Sequence, residues 1–156
     1  MIEACHGCGW QVEGGAAGCR SRFEEALARD FSDPFYFRSH RMFVDTYCLQ
    51  HPDEYCASAK SLAAHLVGLC AILESSASSA AGSAKLQQWL NGARDLGKPQ
   101  MPDRRGSITI GDLPFDADPT AWAEAVHRWA EETWRAYAPL HPVAREWLGL
   151  ANGSLT

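Results

Sequence analysis

Between residues 57 and 75 the chain repeats apolar side chains at the spacing of one helix face, and this repeat constrains the fold more than any other feature. The stripe consists of Leu62, Leu66, Leu69 and Leu73, widened by Ala63, Val67 and Cys70. A stripe this wide is typical of a helix that is buried on several sides. We therefore expect a helix over about 57–75 at the centre of a bundle.

Further helices follow from similar patterns and from their stop signals. Phe23, Leu27 and Phe31 recur every fourth residue after residue 21, which predicts an amphipathic helix of about three turns. Asp-Pro pairs at 33–34 and 118–119 each supply an N-cap followed by a proline suited to the first helical position. The remaining helices are expected at about 38–51, before Pro52, at about 86–93, at 118–137 and at 140–150.

The segments between these helices have compositions of their own. Residues 75–82 are rich in serine and alanine and are interpreted as a linker or a frayed helix start. Residues 97–107 are expected to form an exposed loop, and residues 108–110 a short strand. The fold predicted is all-α, a bundle of about five to six helices over residues 21–151 with an irregular zinc knuckle over residues 1–20, in a single domain spanning 1–156.

Composition limits the classes of function. The chain has 156 residues and a net charge of -5 without a basic run, so we expect no DNA binding, which needs a cationic face. It contains no apolar run of about 18 residues, so no membrane span is expected. Residues 1–5 lack the basic and apolar regions of a signal peptide, which favours the cytoplasm. In that reducing compartment the six cysteines are expected to be thiols or metal ligands.

Three cysteines near the start of the chain indicate a metal site. Cys5 and Cys8 form a Cys-x-x-Cys-Gly sequence, whose spacing lets two thiolates reach one ion, and Cys19 follows across a glycine-rich segment. A redox pair is the competing interpretation, but such a pair normally begins a helix that follows a strand. We expect no strand before Cys5, so the cysteines predict a structural Zn²⁺.

Four residues are candidates for the fourth ligand, namely His40, Cys48, His51 and Cys56. His40 and His51 would share a helix face but lie about 16 Å apart along the axis, so one ion cannot bind both. Cys48 and His51, three residues apart, can point to the same place. We favour His51 because it ends a helix, where a loop can approach. Its competing role is a plain C-terminal cap.

Several of these residues together resemble a family of small bacterial proteins of unknown function. The shared sequences are Cys5-x-x-Cys8-Gly9, Gly18-Cys19, Val44-Asp45-x-Tyr47-x-x-Gln50-His51-Pro52, His65-Leu66 and Gly68-Leu69. The family supplies positions but no activity. The resemblance implies that His40, Asp45, Tyr47, Gln50, His51 and His65 belong to one pattern with the cysteines. Cys48 and Cys56 lie outside that pattern, which favours His51 as the fourth ligand.

A second group of polar residues falls on otherwise apolar helices. Asp45, Tyr47, Gln50 and His65 are expected to satisfy one another across the second and third helices, because buried polar groups need partners. The plainer interpretation is a network that fixes helix register. The alternative is a catalytic pocket in which His65 acts as base or metal ligand, oriented by Asp45, with Tyr47 as donor.

Two hypotheses about function follow. The first is a zinc-binding helical protein that acts through a partner, a ligand or self-association. The second is a small metal- or His-dependent enzyme with its pocket at Asp45, Tyr47 and His65. Tryptophans on more than one face of the 118–137 helix would, if exposed, indicate a homodimer or a protein partner.

Overall fold

The computed structural model describes residues 1–75, 80–92 and 95–153, and within them the fold is all-α, as predicted. A two-stranded sheet of β1 (Ile2–Ala4) and β2 (Gln11–Glu13) precedes the helices. The described helices are α1 (Gly15–Ser32), α2 (Pro34–Phe37), α3 (His40–Gln50), α4 (Pro52–Tyr55), α5 (Ala59–Ser75), α6 (Ala80–Gly92), α7 (Pro119–Ala136) and α8 (His141–Gly153), with short 3₁₀ helices at Ile110–Asp112 and Ala138–Leu140. Their number exceeds the five to six predicted because α2 and α4 are single turns.

The proline signals have the effects that the sequence predicts. The carboxylate of Asp33 accepts a hydrogen bond from the N–H of Phe35 at 2.9 Å, and that of Asp118 accepts one from the N–H of Ala121 at 2.9 Å. Each caps a helix that has proline in its first turn. Pro52 likewise begins α4, so that α3 ends just before His51.

Helix α5 is the central helix, as its apolar stripe predicts. It packs against α3, α6, α7 and α8, and its stripe residues Leu62, Leu66 and Leu69 are fully buried. A second part of the core gathers around Trp122 and Trp129 of α7, where α1 and α3 meet it. Since Trp122, Trp129 and Trp134 are all buried, α7 exposes none of the tryptophans that would have suggested a homodimer.

The N-terminal segment is more regular than predicted. Residues 1–20 contain the hairpin of β1 and β2, so the expectation of no strand before Cys5 is wrong, although Cys5 and Cys8 lie in a turn and do not begin a helix. Helix α1 begins at Gly15 rather than at residue 21. Cys19 therefore lies in a helix and not beyond a loop. The sequence gives no sign of this first turn because its small residues show no apolar periodicity. Phe31, expected on the buried face of this helix, is 72% exposed because that face continues from Phe23 through Ala26 and Asp30 instead.

Two connecting segments also differ from expectation. Residues 108–110 are not a strand; Thr109 instead caps the 3₁₀ helix of Ile110–Asp112 by accepting from the N–H of Gly111 and pairing with Asp112. Ser75 ends α5 and residues 80–82 begin α6, while residues 76–79 of the expected linker lie outside the described part. Residues 97–107 are a loop, as predicted.

Over the described ranges, no helix combines the length and apolar character that crossing a membrane requires.

Candidate metal centre

The turn between β1 and β2 presents the first two cysteines. The N–H of Cys5 donates to the carbonyl of Trp10 at 2.8 Å, and the N–H of Gly9 donates to the carbonyl of Cys5 at 2.8 Å. These two bonds close the Cys-x-x-Cys-Gly segment into a compact turn. Cys5 is buried at 2% exposure and Cys8 is half-buried, so both thiols face the body of the protein rather than open solvent.

The third cysteine comes from the second turn of α1, which packs closely against the hairpin. A Cβ atom on residue 18 would lie 2.0 Å from the carbonyl oxygen of Glu13, so only glycine permits this approach. Cys19, the next residue, is completely buried. Its Sγ lies 3.8 Å from the Sγ of Cys8, which is hydrogen-bonding distance for sulfur and far longer than the bond of about 2 Å in a disulfide.

The imidazole of His51 completes the group. His51 caps the end of α3, and its Nδ1 lies 2.7 Å from the carbonyl oxygen of Tyr47. Because a carbonyl only accepts, Nδ1 carries the proton, which leaves the lone pair on Nε2. Nε2 lies 3.5 Å from the Sγ of Cys5 and 3.4 Å from the Sγ of Cys19. This is the arrangement by which proteins fix the tautomer of a ligating histidine.

The four ligand atoms have the spacing of a tetrahedral site. All of them, from Cys5, Cys8, Cys19 and His51, lie within 4.8 Å of one another. Bond lengths of about 2.3 Å to sulfur and about 2.0 Å to nitrogen place tetrahedral ligands about 3.8 Å apart for two sulfurs and about 3.5 Å apart for sulfur and nitrogen. Three of the six separations, at 3.8, 3.5 and 3.4 Å, agree with these values, and the other three are at most 4.8 Å. The group could therefore hold a metal ion.

Electrostatics at the thiols favour a bound cation. The hydrogen bond from Cys19, with smaller contributions from His51 and the backbone of Trp10, lowers the pKa of the Cys8 thiol to about 4 against the opposing effect of burial. The same bond, together with burial, raises the pKa of Cys19, so the pair holds one negative charge and one proton. A divalent ion would displace that proton and neutralise the thiolates.

Tyr47 belongs to this centre and not to the pocket in which the sequence placed it. Its ring stacks on His51 with centroids 3.9 Å apart and on Phe23 of α1 at 3.9 Å. Its hydroxyl oxygen lies 3.5 Å from the Sγ of Cys19. Burial raises the pKa of this phenol, so the hydroxyl stays protonated and can donate to the sulfur of Cys19. Tyr47 thus orients one ligand by stacking and another by hydrogen bonding.

The other candidate ligands lie elsewhere. Nδ1 of His40 pairs with the carboxylate of Asp30 at 3.0 Å. Cys48 and Cys56 are in the apolar core, where the thiol of Cys56 donates to the carbonyl of Cys48 at 3.5 Å. Burial raises the pKa of both thiols, that of Cys56 to about 12, so they are neutral. None of these three joins the group of four.

Gln50 and Arg105 connect the cysteine-bearing turn to the rest of the protein, and the sequence did not predict this connection. The side-chain amide of Gln50 donates to the carbonyls of Arg105 at 2.9 Å and Ile108 at 2.7 Å, and accepts from Nε1 of Trp129 at 3.1 Å. Arg105 in turn donates to the carbonyl of Gly7 at 3.1 Å. Gln50 could have been identified because it precedes His51 in the sequence, whereas nothing in the sequence pointed to Arg105.

Asp45 and His65 do pair across α3 and α5, as predicted. Nδ1 of His65 lies 2.9 Å from the buried carboxylate of Asp45, which also contacts Arg41 at 3.4 Å. Burial raises the pKa of Asp45, and its two partners oppose that effect. Neither Tyr47 nor Gln50 joins the pair, because Tyr47 faces the metal centre and Gln50 faces the loop at Arg105 and Ile108. His65 is not among the residues that line the cleft of about 530 Å³ formed by α3, α5, α6, α7 and α8.

Comparison with known proteins gives one match. The model of a family described as "Family of unknown function (DUF5946)" matches residues 3–138, well over half of the chain. The match includes the three cysteines, His51, Asp45 and His65. No curated protein and no solved structure matches the chain significantly.

Proposed function

We propose that this chain, which belongs to the DUF5946 family of unknown function, is a zinc-binding protein whose ion has a structural role. Cys5, Cys8, Cys19 and His51 would each contribute one bond to the ion. The observation that carries this proposal is the mutual spacing of their ligand atoms, which lie within 4.8 Å of one another at separations suited to a tetrahedral site.

The donor set favours zinc among the common metals. Three thiolates and one imidazole are soft to borderline ligands, and this combination recurs at structural zinc sites. Calcium and magnesium prefer oxygen, which none of the four residues supplies. Cys5, Cys19 and His51 are each at most 5% exposed, which supports a closed site with four protein ligands and no position for a substrate.

A bound ion would join three parts of the chain that lie far apart in the sequence. Cys5 and Cys8 lie in the hairpin, Cys19 lies in α1, and His51 lies where α3 meets α4. The free energy of metal binding would then be part of the free energy of folding. We propose that residues 1–20 and the helices fold as one unit around the ion, in a reducing compartment such as the cytoplasm that keeps the thiols free.

A structural ion does not itself catalyse a reaction. In this proposal the protein acts through a partner, a ligand or self-association, and the ion stabilises its fold. For the Asp45–His65 pair we propose only a structural role, holding α3 against α5, because a buried carboxylate requires partners of this kind.

The direct test is metal analysis combined with matched cysteine variants. Protein purified with a reductant should contain about one zinc per chain by mass spectrometry of the metal. Cys5→Ala should lose the zinc, whereas Cys70→Ala, which removes a buried thiol from α5, should retain it. Chelation of the wild-type zinc should lower Tm strongly. A metal-free protein with unchanged Tm would refute the structural role, and retention of zinc by Cys5→Ala would refute the site.

A further inference from the structure

A cleft of about 530 Å³ lies on the described surface, apart from the metal centre. Its walls come from the start of α3 and from α5, α6, α7 and α8, and none of the four proposed zinc ligands lines it. A volume of this size falls within the range of small-molecule sites, about 300–1,000 Å³. Since the cleft shares no residue with the metal centre, what it binds is a separate question from zinc binding.

The interior of the cleft is largely apolar. Its wall includes Met42 of α3, Val67 and Ile72 of α5, Leu86 of α6 and Leu148 of α8. Sites for organic ligands combine walls of this kind with a few polar groups that orient the ligand. An inorganic ion or a sugar would gain little from these side chains, whereas a hydrocarbon body would bury apolar surface against them.

The charged residues of the cleft are all basic or imidazole-bearing. They are Arg38, His40, Arg41 and His127, and no Asp or Glu lies among the described lining residues. This is notable in a chain with a net charge of -5. Three of the four have acidic partners outside the lining: Arg41 contacts Asp45, His40 pairs with Asp30 and His127 with Glu131. The positive charge that the cleft offers a ligand is therefore that of the exposed Arg38 and the half-exposed Arg41, and guanidinium groups select an anionic group.

Arg41 is held in place by the buried pair described above. Its guanidinium contacts the carboxylate of Asp45 at 3.4 Å, and Asp45 is anchored from its other side by His65. The Arg41 side chain remains 50% exposed, and a guanidinium has five N–H donors, so this one contact leaves donors for a ligand. Arg38 nearby is exposed and lies over the ring of Phe35 at 5.0 Å.

Exposed aromatic residues continue the apolar surface outside the cleft. Phe37 lines the cleft and is 45% exposed, while Phe31 and Phe35 are 72% and 57% exposed. The rings of Phe31 and Phe37 lie 5.7 Å apart. Grouped exposed aromatic side chains commonly mark binding surfaces.

We propose that this cleft binds an amphipathic carboxylate. The apolar body of the ligand lies between α5, α6 and α8, and its carboxylate accepts hydrogen bonds from Arg38 and Arg41. A guanidinium matches a carboxylate geometrically, because two parallel N–H groups meet its two oxygens. The zinc-stabilised protein proposed above would thus bind a small molecule in this cleft. The proposal for the cleft does not depend on whether the metal centre binds zinc.

The probe for the test is decanoate, titrated by calorimetry below its micelle concentration into the full chain as purified. Decan-1-ol is the uncharged comparison of equal chain length. Decanoate is expected to bind once per chain, and decan-1-ol about tenfold more weakly because it lacks the charge-assisted bonds. Arg38→Gln is expected to weaken decanoate binding by about tenfold for the same reason. Equal binding of the acid and the alcohol, or no binding of either, would overturn the proposal.

Matched variants on α7 locate the site. Ala123 lines the cleft and Ala121, two residues earlier, does not. Ala123→Leu is expected to weaken decanoate binding by about tenfold or more by filling the cleft, and Ala121→Leu to leave it unchanged. Ala71→Leu fills the opposite wall on α5 and provides a second test should Ala123→Leu fail to fold. Wild-type affinity in either folded cleft variant would overturn the assignment.

Discussion

Gly7 and His51 are in such close contact that a Cβ atom on residue 7 would lie 2.4 Å from Cδ2 of the imidazole. Of the two residues between the cysteines of the hairpin turn, the second is therefore restricted to glycine by the ring that completes the metal centre. Real Cβ atoms do not approach so closely, so any side chain at residue 7 must move either the turn or the ring.

Gly7→Ala is expected to lower zinc affinity by about 10-fold to 100-fold, because displacement of the ring disturbs the ligand geometry. Competition with a chromophoric chelator measures this affinity. His6→Ala is the matched control, since His6 is the exposed neighbour in the same turn and is not among the four ligands. Equal affinities of the two variants would show that the close contact does not constrain the site.

Tyr47→Phe is expected to weaken zinc binding while leaving the fold intact. The substitution keeps the stacking between Phe23 and His51 but removes the hydroxyl that lies 3.5 Å from the sulfur of Cys19. A loss of about 1 kcal/mol in binding free energy is expected from one such hydrogen bond. Tyr55→Phe, which alters a partly exposed ring nearby, should bind zinc as the wild type does. Loss of affinity in both variants alike would contradict a specific role for the Tyr47 hydroxyl.

Gln50→Met is expected to lower the free energy of unfolding by about 2–4 kcal/mol. Methionine has a similar volume, but the carbonyls of Arg105 and Ile108 and the indole N–H of Trp129 would lose their partner. Urea denaturation of the zinc-loaded protein measures the change. Gln88→Met on the exposed face of α6 is the control and should change stability by less than about 0.5 kcal/mol. An equally small change in the free energy of unfolding of Gln50→Met would contradict the prediction and would mean that water replaces the lost hydrogen bonds.

Alkylation of the cysteines should divide them into two groups. In the zinc-loaded protein all six should react slowly with iodoacetamide, since five are buried and Cys8 would be a ligand. After chelation, Cys8, the more exposed thiol, should react first, followed by Cys5 and Cys19. Cys48, Cys56 and Cys70 should stay unmodified while the helices remain folded, because burial raises the pKa of each thiol, those of Cys56 and Cys70 to about 12. Peptide mapping identifies the sites, and even labelling of all six would contradict the division.

Local signals in the sequence predict much of this structure for clear physical reasons. The stripe on α5 and the Asp-Pro starts of α2 and α7 depend on burial and capping, which act within one element. His51 could be chosen as a ligand because a helix end beside a proline exposes its side chain to an approaching loop. The early start of α1 at Gly15 could not be predicted, because its first turn is fixed by contact with the hairpin.

The partners of Tyr47 and Gln50 were assigned wrongly for a similar reason. Both residues share α3 with Asp45, and sequence alone does not give the rotation of a helix that is buried on several faces. Asp45 faces α5, whereas Tyr47 faces α1 and Gln50 faces the loop at Arg105. Contacts with distant segments such as Arg105 leave no local pattern, so only the three-dimensional structure reveals them.

X-ray absorption at the zinc edge on reductively purified protein tests the central claim most directly, because it counts the atoms bonded to the ion. Our account predicts about one zinc per chain, with three sulfur neighbours at about 2.3 Å and one nitrogen at about 2.0 Å. The nitrogen contribution should disappear in His51→Ala, whether the vacancy is filled by water or the ion is lost. A shell of oxygen atoms, a fourth sulfur, or an absence of zinc from folded protein would contradict the account.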